Sequence, residues 1–277
     1  MNIWRSREKG AVIAKQVVRG GYMRWMLLMC GVCVAMLAGV ARLDMAQNAP
    51  PTTGQGATAV PTSQPTPAPQ APLPAGMTRL FDGKTLAGWR EIPPNQWIVK
   101  DGALVSLGKG RGVIATQGQY GKYRIIFDVR HVSAAPKRNH AACVLFFCTN
   151  PVGDRKPLDA LGGVQFQVPQ GYTWDYRPGK NNSGKGLFKS IAKSKADPWQ
   201  WSRVELLVDD ELGTARLAVA QPPGAPAIEI GRFKDATAGK KGPFAIQMHN
   251  AGLVDEYANI AIEEDPKVDD LITVQKQ

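Results

Sequence analysis

The amino-acid sequence predicts an all-β fold, an antiparallel β-sandwich of the jelly-roll type, over residues 77–266. Apolar and polar residues alternate over short runs, and Gly, Pro and Asn separate those runs. Helix signals are few, with at most a turn near 187–195. Many short strands separated by turn residues are typical of sandwiches and jelly rolls.

The strands follow in chain order from these runs. Asp101-Gly102 within WIVKDGALVSL (97–107) predicts a hairpin turn between two short strands. The strand at 141–147 is apolar on both faces, so we expect it to be central, with the segment 169–200 packed over its outer face. The other strands are predicted at 123–132, 163–168, 203–208, 215–220, 244–249 and 257–264.

Alternation along two of these strands predicts a polar, amide-rich sheet face. Gln165 and Gln167 share one face of 163–168, and Gln247 and His249 share one face of 244–249. The solvated face of an ordinary sandwich would explain the same alternation. Gln and His are not the usual residues of such a face, however, and carboxamides offer the paired donors and acceptors that suit sugar hydroxyls.

Residues 1–42 are predicted to be a signal peptide or an N-terminal membrane anchor. Six Lys and Arg residues precede an uncharged apolar run over 25–41, and Gly39-Val40-Ala41 suits cleavage. The run is near the lower length limit for crossing a bilayer, so its length is compatible with a cleaved signal peptide and with an uncleaved transmembrane helix. Met23 is an alternative start that would leave a compact signal. In each case we expect export to the periplasm or cell envelope, with membrane association if the segment is retained.

Residues 43–76 are predicted to be a disordered linker, and 267–277 a C-terminal tail. Eight prolines lie between Pro50 and Pro74, without an aromatic residue. Such a segment cannot bury enough apolar surface to fold, and it acts as a semi-rigid spacer.

The net charge of +11 does not indicate a nucleic-acid partner. More than half of the excess lies in the first 42 residues, which leaves a mildly basic domain. Cys143 and Cys148 are predicted to be free and buried, because five residues of extended strand exceed the reach of a disulfide. The sequence has no Cys–His spacing typical of a metal site.

The order of segments in the domain resembles the 3-keto-disaccharide hydrolase-like family. The opening FDGKTLAGW (81–89), followed by WIVKDGALV (97–105), is the most specific part. The similarity continues through YGKYRIIFDVR (120–130), GVQFQV (163–168), LFKSIAKSKADPWQWSRVELLV (187–208) and GPFAIQMHNAGLVDEYANIAI (242–262). The resemblance implies a concanavalin A-like lectin/glucanase sandwich and a hydrolase that acts on 3-keto-glycosides, and the leader adds the expectation that this hydrolase is exported.

The chemistry that this resemblance implies begins at the ketone. A ketone at C3 makes the C2 proton acidic, so that a base can remove it while an oxyanion stabiliser holds the enolate. The C1 leaving group then departs by elimination, and water adds back. A divalent metal is one candidate stabiliser, although the sequence does not identify the ion.

His249 is the predicted base, since an imidazole is available in neutral form near pH 7. With Gln247 it keeps the family's Gln-x-His pattern. Asp175, in GYTWDYRPG, is the second catalytic candidate. The predicted substrate contacts are Gln165, Gln167, Gln247, Asn139, His140, Trp174 and Tyr176.

The alternative function is a catalytically silent carbohydrate-binding module on a stalk. Gln165 stands where the family commonly has Glu and cannot act as a base. An Arg of the family is also replaced by an apolar residue near Phe147. Both functions predict a carbohydrate partner, either a 3-keto-glycoside or a glycan. A structural domain of the envelope is a third reading, and His131 is expected to be structural.

Overall fold

The computed structural model describes residues 71–133, 142–149, 160–180 and 186–275. Fifteen strands and no helix are found in these ranges. The strands are β1 (Thr78–Arg79), β2 (Trp89–Ile92), β3 (Trp97–Lys100), β4 (Ala103–Ser106), β5 (Gly112–Thr116), β6 (Tyr123–Ser133), β7 (Ala142–Phe146), β8 (Val164–Val168), β9 (Thr173–Asp175), β10 (Phe188–Ser190), β11 (Ser202–Asp209), β12 (Thr214–Ala220), β13 (Ile228–Lys234), β14 (Ala245–Met248) and β15 (Val254–Glu264).

These strands form two antiparallel sheets, which confirms the predicted sandwich. The nine-stranded sheet has the order β10-β13-β12-β11-β6-β15-β4-β3, with β1 paired to β15. The six-stranded sheet has the order β2-β5-β14-β7-β8-β9. The hairpin at Asp101-Gly102 is confirmed, and both turn residues adopt the positive φ that such a turn requires.

The core fills the space between the sheets, and the alternation of the strands decides which residues enter it. The side chains that alternate with the polar residues of β6, β8 and β14 are almost fully buried. They include Tyr123, Ile125, Phe127, Val129, Val164, Phe166, Val168, Ile246 and Met248. Burying such a set removes a large apolar area from water, which is the main stabilising contribution to the fold.

Strand β7 is central in its sheet, between β14 and β8, as its apolar sequence predicts. Leu145 on its outer face packs with Leu161, which precedes β8, and with Tyr176, which follows β9. Tyr176 belongs to the segment 169–200, so that segment contributes to the cover of this face as expected, together with Leu161. The predicted turn near 187–195 contains a strand instead, because β10 pairs with β13.

The outer face of the nine-stranded sheet holds both ends of the described chain. Leu271, in the predicted tail, is 4% exposed and packs against Leu207 and the neighbouring alanines. Glu205 accepts hydrogen bonds from the backbone amides of Ile272 (2.9 Å) and Thr273 (2.8 Å). The tail is thus part of the folded domain.

Residues 71–76, assigned to the linker, also contact this sheet. The amide of Ala71 donates to Asn259 Oδ1 at 3.2 Å. The predicted leader over 1–42 and the linker up to residue 70 lie outside the described residues. Within the described ranges, the structure has no helix that could span a membrane.

Candidate functional site

The amide-rich face predicted from the sequence is the outer face of the six-stranded sheet. In the strand register, Gln247 of β14 lies opposite Cys143 of β7, and Cys143 lies opposite Gln167 of β8. Residues directly opposite each other point to the same side of a sheet, with Cα atoms about 4.5–5.5 Å apart. Three adjacent strands therefore place two carboxamides and a thiol in one row.

Gln165 extends this row with a buried acceptor. Its Nε2 donates to the sulfur of Cys143 at 3.1 Å, and the side chain is 1% exposed. Its Oε1 is buried and has no hydrogen-bond partner. A buried polar atom without a partner costs about 1–3 kcal/mol, so the site is better satisfied when a ligand or water donates to this oxygen.

His249 lies at the end of the same face, one residue beyond β14. Met248 pairs with Gly112, and the next residues, His249 and Arg111, meet at 3.5 Å between Nε2 and Nη2. His249 Nδ1 lies 3.0 Å from Asn250 Oδ1. A guanidinium can only donate, so Nε2 is the accepting nitrogen in its contact with Arg111.

Asp175 does not join this site. It pairs with Val164, whose side chain points into the core, so Asp175 faces inward while Trp174 faces outward. Its fully buried carboxylate accepts from Arg177 Nη2 at 2.8 Å, and the same guanidinium also binds Asp235 at 2.8 Å. The hydrogen bonds from Arg177 and from Thr237 lower the pKa of Asp235. Asp175 is thus part of a structural ion-pair cluster.

The aromatic candidates do lie on the outer face. Trp174 is opposite Gln165 in the pairing of β8 with β9. Its ring centroid is 6.1 Å from that of Tyr176. The structure therefore brings together Gln165, Gln167, Gln247, His249, Trp174 and Tyr176 on one sheet face.

The structure does not place Asn139, His140 or His131 on this sheet face. Asn139 and His140 lie outside the described residues. His131 is buried in the other sheet, where Nδ1 contacts the carboxylate of Asp255 and the ring lies 5.7 Å from that of Trp199. His131 is remote from the amide row by its place in the nine-stranded sheet.

The described residues do not supply the donor set that a divalent cation needs. No group of three or more His, Cys, Asp or Glu side chains that could hold a metal ion is found among them. On β5, β7, β8, β9 and β14, the outward-facing described residues include no Asp or Glu.

Sequence reasoning missed two members of this face, Arg111 and Cys143. Arg111 follows a glycine-rich segment and belongs to no recognisable motif, and its place beside His249 depends on the pairing of β5 with β14. Cys143 was identified as buried, which the structure confirms, together with Cys148. Its hydrogen bond to Gln165 depends on the register of β7 with β8.

The domain matches a known family over most of its length. The model of the 3-keto-alpha-glucoside-1,2-lyase-like domain matches residues 76–263. None of the curated proteins matches the chain.

Solved structures with similar folds include several carbohydrate-related proteins. A provisionally named glycosyl hydrolase from Parabacteroides distasonis is 15% identical, with a TM-score of 0.46, and the match covers 68% of this chain and 98% of that one. The carbohydrate-binding module CBM66 from Bacillus subtilis is 11% identical, with a TM-score of 0.42, over 64% of this chain and 96% of that one. The acidic lectin of winged bean, complexed with methyl-α-D-galactose, is 10% identical, with a TM-score of 0.48, over 67% of this chain and 96% of that one.

Proposed function

Because this chain belongs to the 3-keto-alpha-glucoside-1,2-lyase-like domain family, we propose that its amide-rich face binds a 3-keto-glycoside and that His249 removes the C2 proton. The observation that carries the proposal is the imidazole of His249 beside the guanidinium of Arg111, at the end of an amide row. An imidazole is the side chain best suited to act as a general base near neutral pH.

Arg111 is the oxyanion stabiliser in this mechanism. When His249 takes the C2 proton, the C2–H electron pair forms the enolate and negative charge develops on the C3 oxygen. A guanidinium within reach of the imidazole supplies donors to that oxygen.

The remaining steps return the proton. The C1–O bond breaks as the enolate collapses to an unsaturated ketone, and the imidazolium protonates the departing oxygen. Water then adds at C1 and a proton returns to C2, so the net reaction is hydrolysis. Gln165 and Gln247 are each 1% exposed, whereas Gln167 is partly exposed, so Gln167 is the carboxamide of the row that can reach a sugar hydroxyl.

Turnover by the His249→Asn variant tests the catalytic assignment. Asparagine keeps a polar side chain but cannot accept the proton, so we expect the rate of product release from a 3-keto-glucoside to fall by about 100-fold or more. Binding of the same compound should change little. A folded variant with wild-type turnover would contradict the assignment.

A catalytically silent carbohydrate-binding module is the second candidate. It is favoured by Gln165 at a position where a carboxylate is common in the family, and by the lack of Asp or Glu on the described part of this sheet face. Glycan-array binding by wild-type protein that releases no product from any 3-keto-glycoside would favour this function.

Export is the third element of the proposal. It rests on the basic and apolar residues of 1–42 and on the proline-rich segment that follows. Fractionation of cells, with N-terminal sequencing of the mature protein, tests it. A cytoplasmic protein that begins at Met1 or Asn2 would contradict it.

A further inference from the structure

The edges of the two sheets meet along one side of the sandwich. Strand β10 is the edge of the nine-stranded sheet, next to β13, and β9 is the edge of the six-stranded sheet, next to β8. The rings of Phe166 on β8 and Phe188 on β10 lie 6.0 Å apart. Gly171, in the turn before β9, lies against Ile230 of β13, since a Cβ atom at Gly171 would be 2.9 Å from Ile230 Cδ1. Residues of β9, β10 and β13 therefore share this side.

Basic side chains are concentrated on the β10 edge. The segment 186–195 contains three exposed lysines and no acidic residue. They are Lys189, Lys193 and Lys195. Within the described ranges, no carboxylate is paired with any of the three. Lys189 lies opposite the exposed Arg232 in the strand register, and Glu229 is the acidic partner of Arg232. The edge therefore carries an excess of positive charge.

Exposed apolar side chains lie among these cations. Ile191, within the lysine segment, is 40% exposed, and its amide donates to the carbonyl of Ile230 at 3.0 Å. Ile228 is 47% exposed and lies two residues before Ile230 on β13. Tyr172 is 68% exposed and follows Gly171, which lies against Ile230. Large apolar side chains that are grouped together and bordered by charged residues indicate an interaction surface.

We propose that this side of the sandwich docks on an anionic phospholipid surface, with the lysines at the headgroups and the exposed isoleucines and Tyr172 at the boundary with the acyl chains. Lysine and arginine side chains are attracted to a negatively charged membrane. Isoleucine gains from burial at the acyl boundary, and tyrosine prefers the interface, where its ring is in an apolar environment and its hydroxyl is in water. The inference goes beyond the proposed function and does not depend on the reaction at His249.

The apolar side chains favour a lipid partner over an acidic polysaccharide. A soluble polyanion would neutralise the lysines, but it offers no acyl chains to bury Ile191 and Ile228. Lysines on an edge strand also oppose pairing with another chain, and that role requires no exposed isoleucine either. The sequence of 1–42 predicts a signal peptide or membrane anchor. A domain tethered to a membrane would meet the lipid surface at a high effective concentration.

Hydrogen–deuterium exchange of the full chain on lipid nanodiscs tests the inference. Nanodiscs of phosphatidylcholine alone are compared with nanodiscs that contain phosphatidylcholine and phosphatidylglycerol in equal amounts. We expect the amides of segment 188–195 to exchange about fivefold more slowly, or slower still, on the anionic nanodiscs only. Segment 98–103 is the internal control, because it lies in the β3–β4 hairpin at the opposite edge of the nine-stranded sheet. It should exchange alike on both nanodiscs.

Two triple variants separate the β10 edge from the net charge of the protein. The edge variant replaces the three lysines of the segment: Lys189→Gln, Lys193→Gln and Lys195→Gln. The control variant removes the same charge from exposed lysines elsewhere: Lys84→Gln, Lys100→Gln and Lys267→Gln. Segment 188–195 of the edge variant should exchange at the same rate on both nanodiscs, whereas the control variant should keep the difference seen in the wild type.

Ile191→Ser keeps every lysine and distinguishes lipid from a soluble polyanion. We expect this variant to lose most of the protection of segment 188–195 on anionic nanodiscs, because the serine gains nothing from the acyl boundary. Wild-type protection in Ile191→Ser, or equal protection of the wild type by soluble polygalacturonate, would overturn docking on lipid.

The wild type and the edge variant decide the inference separately from the hydrolase. Equal exchange of segment 188–195 on the two nanodiscs in the wild type, or an edge variant that keeps the wild-type difference, would overturn the docking surface. A chain that shows the expected difference and releases no product from 3-keto-glycosides would support the docking surface and refute only the hydrolase.

Discussion

At the scale of single residues, the site depends on contacts that fix the orientation of its polar groups. Arg111 contacts the imidazole of His249, and Cys143 fixes the orientation of the Gln165 carboxamide. Gln165 Nε2 donates to the sulfur of Cys143, and Oε1 is the buried atom left without a partner. The buried thiol of Cys143 thus has a positioning role in a site that contains no carboxylate among its described outward residues.

Substitution of the two buried thiols tests this role. Cys143→Ala removes the partner of Gln165 Nε2, so we expect glycan affinity to fall by about tenfold, since a hydrogen bond contributes about 0.5–1.5 kcal/mol. Cys143→Ser keeps a partner and should retain most of the affinity.

Cys148→Ala is the control for these variants. Burial raises the pKa of the Cys148 thiol to about 12, and this side chain packs in the cluster around Leu161 rather than against an amide. Cys148→Ala should lower the stability of the protein without lowering its affinity for the glycan. Calorimetric titration of the folded variant measures this affinity. Equal losses of affinity in Cys143→Ala and Cys148→Ala would contradict a specific role for Cys143.

At the scale of strands, alternation decides which side chains can meet. It correctly assigned Gln165, Gln167 and Gln247 to one face from sequence alone. Alternation also excludes Asp175 from that face, but only when β9 is known to be a strand. The sequence does not predict β9, because a run of three residues in a segment rich in glycine and proline is too short to show an alternation. The register between strands is also not predictable from the sequence. The pairing of β5 with β14 brings Arg111 to His249, and this pairing depends on contacts between residues distant in sequence.

The cluster of Arg177 with Asp175 and Asp235 fixes the end of β9. Arg177→Met would remove the cation that bridges two largely buried carboxylates and leave Asp235 only the longer contact with Lys180 at 3.9 Å, so we expect a loss of about 3–5 kcal/mol in the free energy of unfolding. Arg232→Met, which removes an exposed arginine paired to Glu229, should cost about 1 kcal/mol or less. Urea denaturation measures both, and equal losses would contradict the structural role.

The same cluster predicts that the free energy of unfolding depends on pH. The pKa of Asp235 is lowered in the folded state, so its stabilisation is present above its unfolded pKa of about 3.9 and is lost as pH falls below that value. In Arg177→Met, the unfolding free energy should change less between pH 5 and pH 3 than in the wild type. A slope unchanged by the substitution would contradict this assignment.

At the scale of the whole molecule, the outer faces of the two sheets differ in composition. The outer face of the six-stranded sheet holds a largely buried row of carboxamides and a thiol, whereas the outer face of the nine-stranded sheet is covered by ion pairs and by the C-terminal segment. Arg124 bonds to the carboxylate of Glu205 at 2.9 Å and to the carbonyls of Val268 and Asp270 at 2.8 Å. The domain therefore continues beyond residue 266, which the polar composition of 267–277 did not reveal, since a single buried leucine is a weak signal.

Two neighbouring residues test the structural role of this segment. Leu271→Ala should lower the free energy of unfolding by about 2–5 kcal/mol, because it empties a buried position. Ile272→Ala, at a side chain that is 46% exposed, should change it by about 0.5 kcal/mol or less. Chemical denaturation of the two variants measures the difference, and equal effects would mean that the segment does not pack on the sheet in solution.

Proton abstraction at C2 of a 3-keto-glycoside by His249 is the proposed activity of this sandwich. It is tested most directly by NMR of a 3-keto-glucoside incubated in deuterated water with wild-type protein and with His249→Asn. We expect protein-dependent incorporation of deuterium at C2 by the wild type, and about 100-fold slower incorporation by the folded variant. Incorporation at equal rates by both proteins, or at the rate of the protein-free control by the wild type, would contradict it.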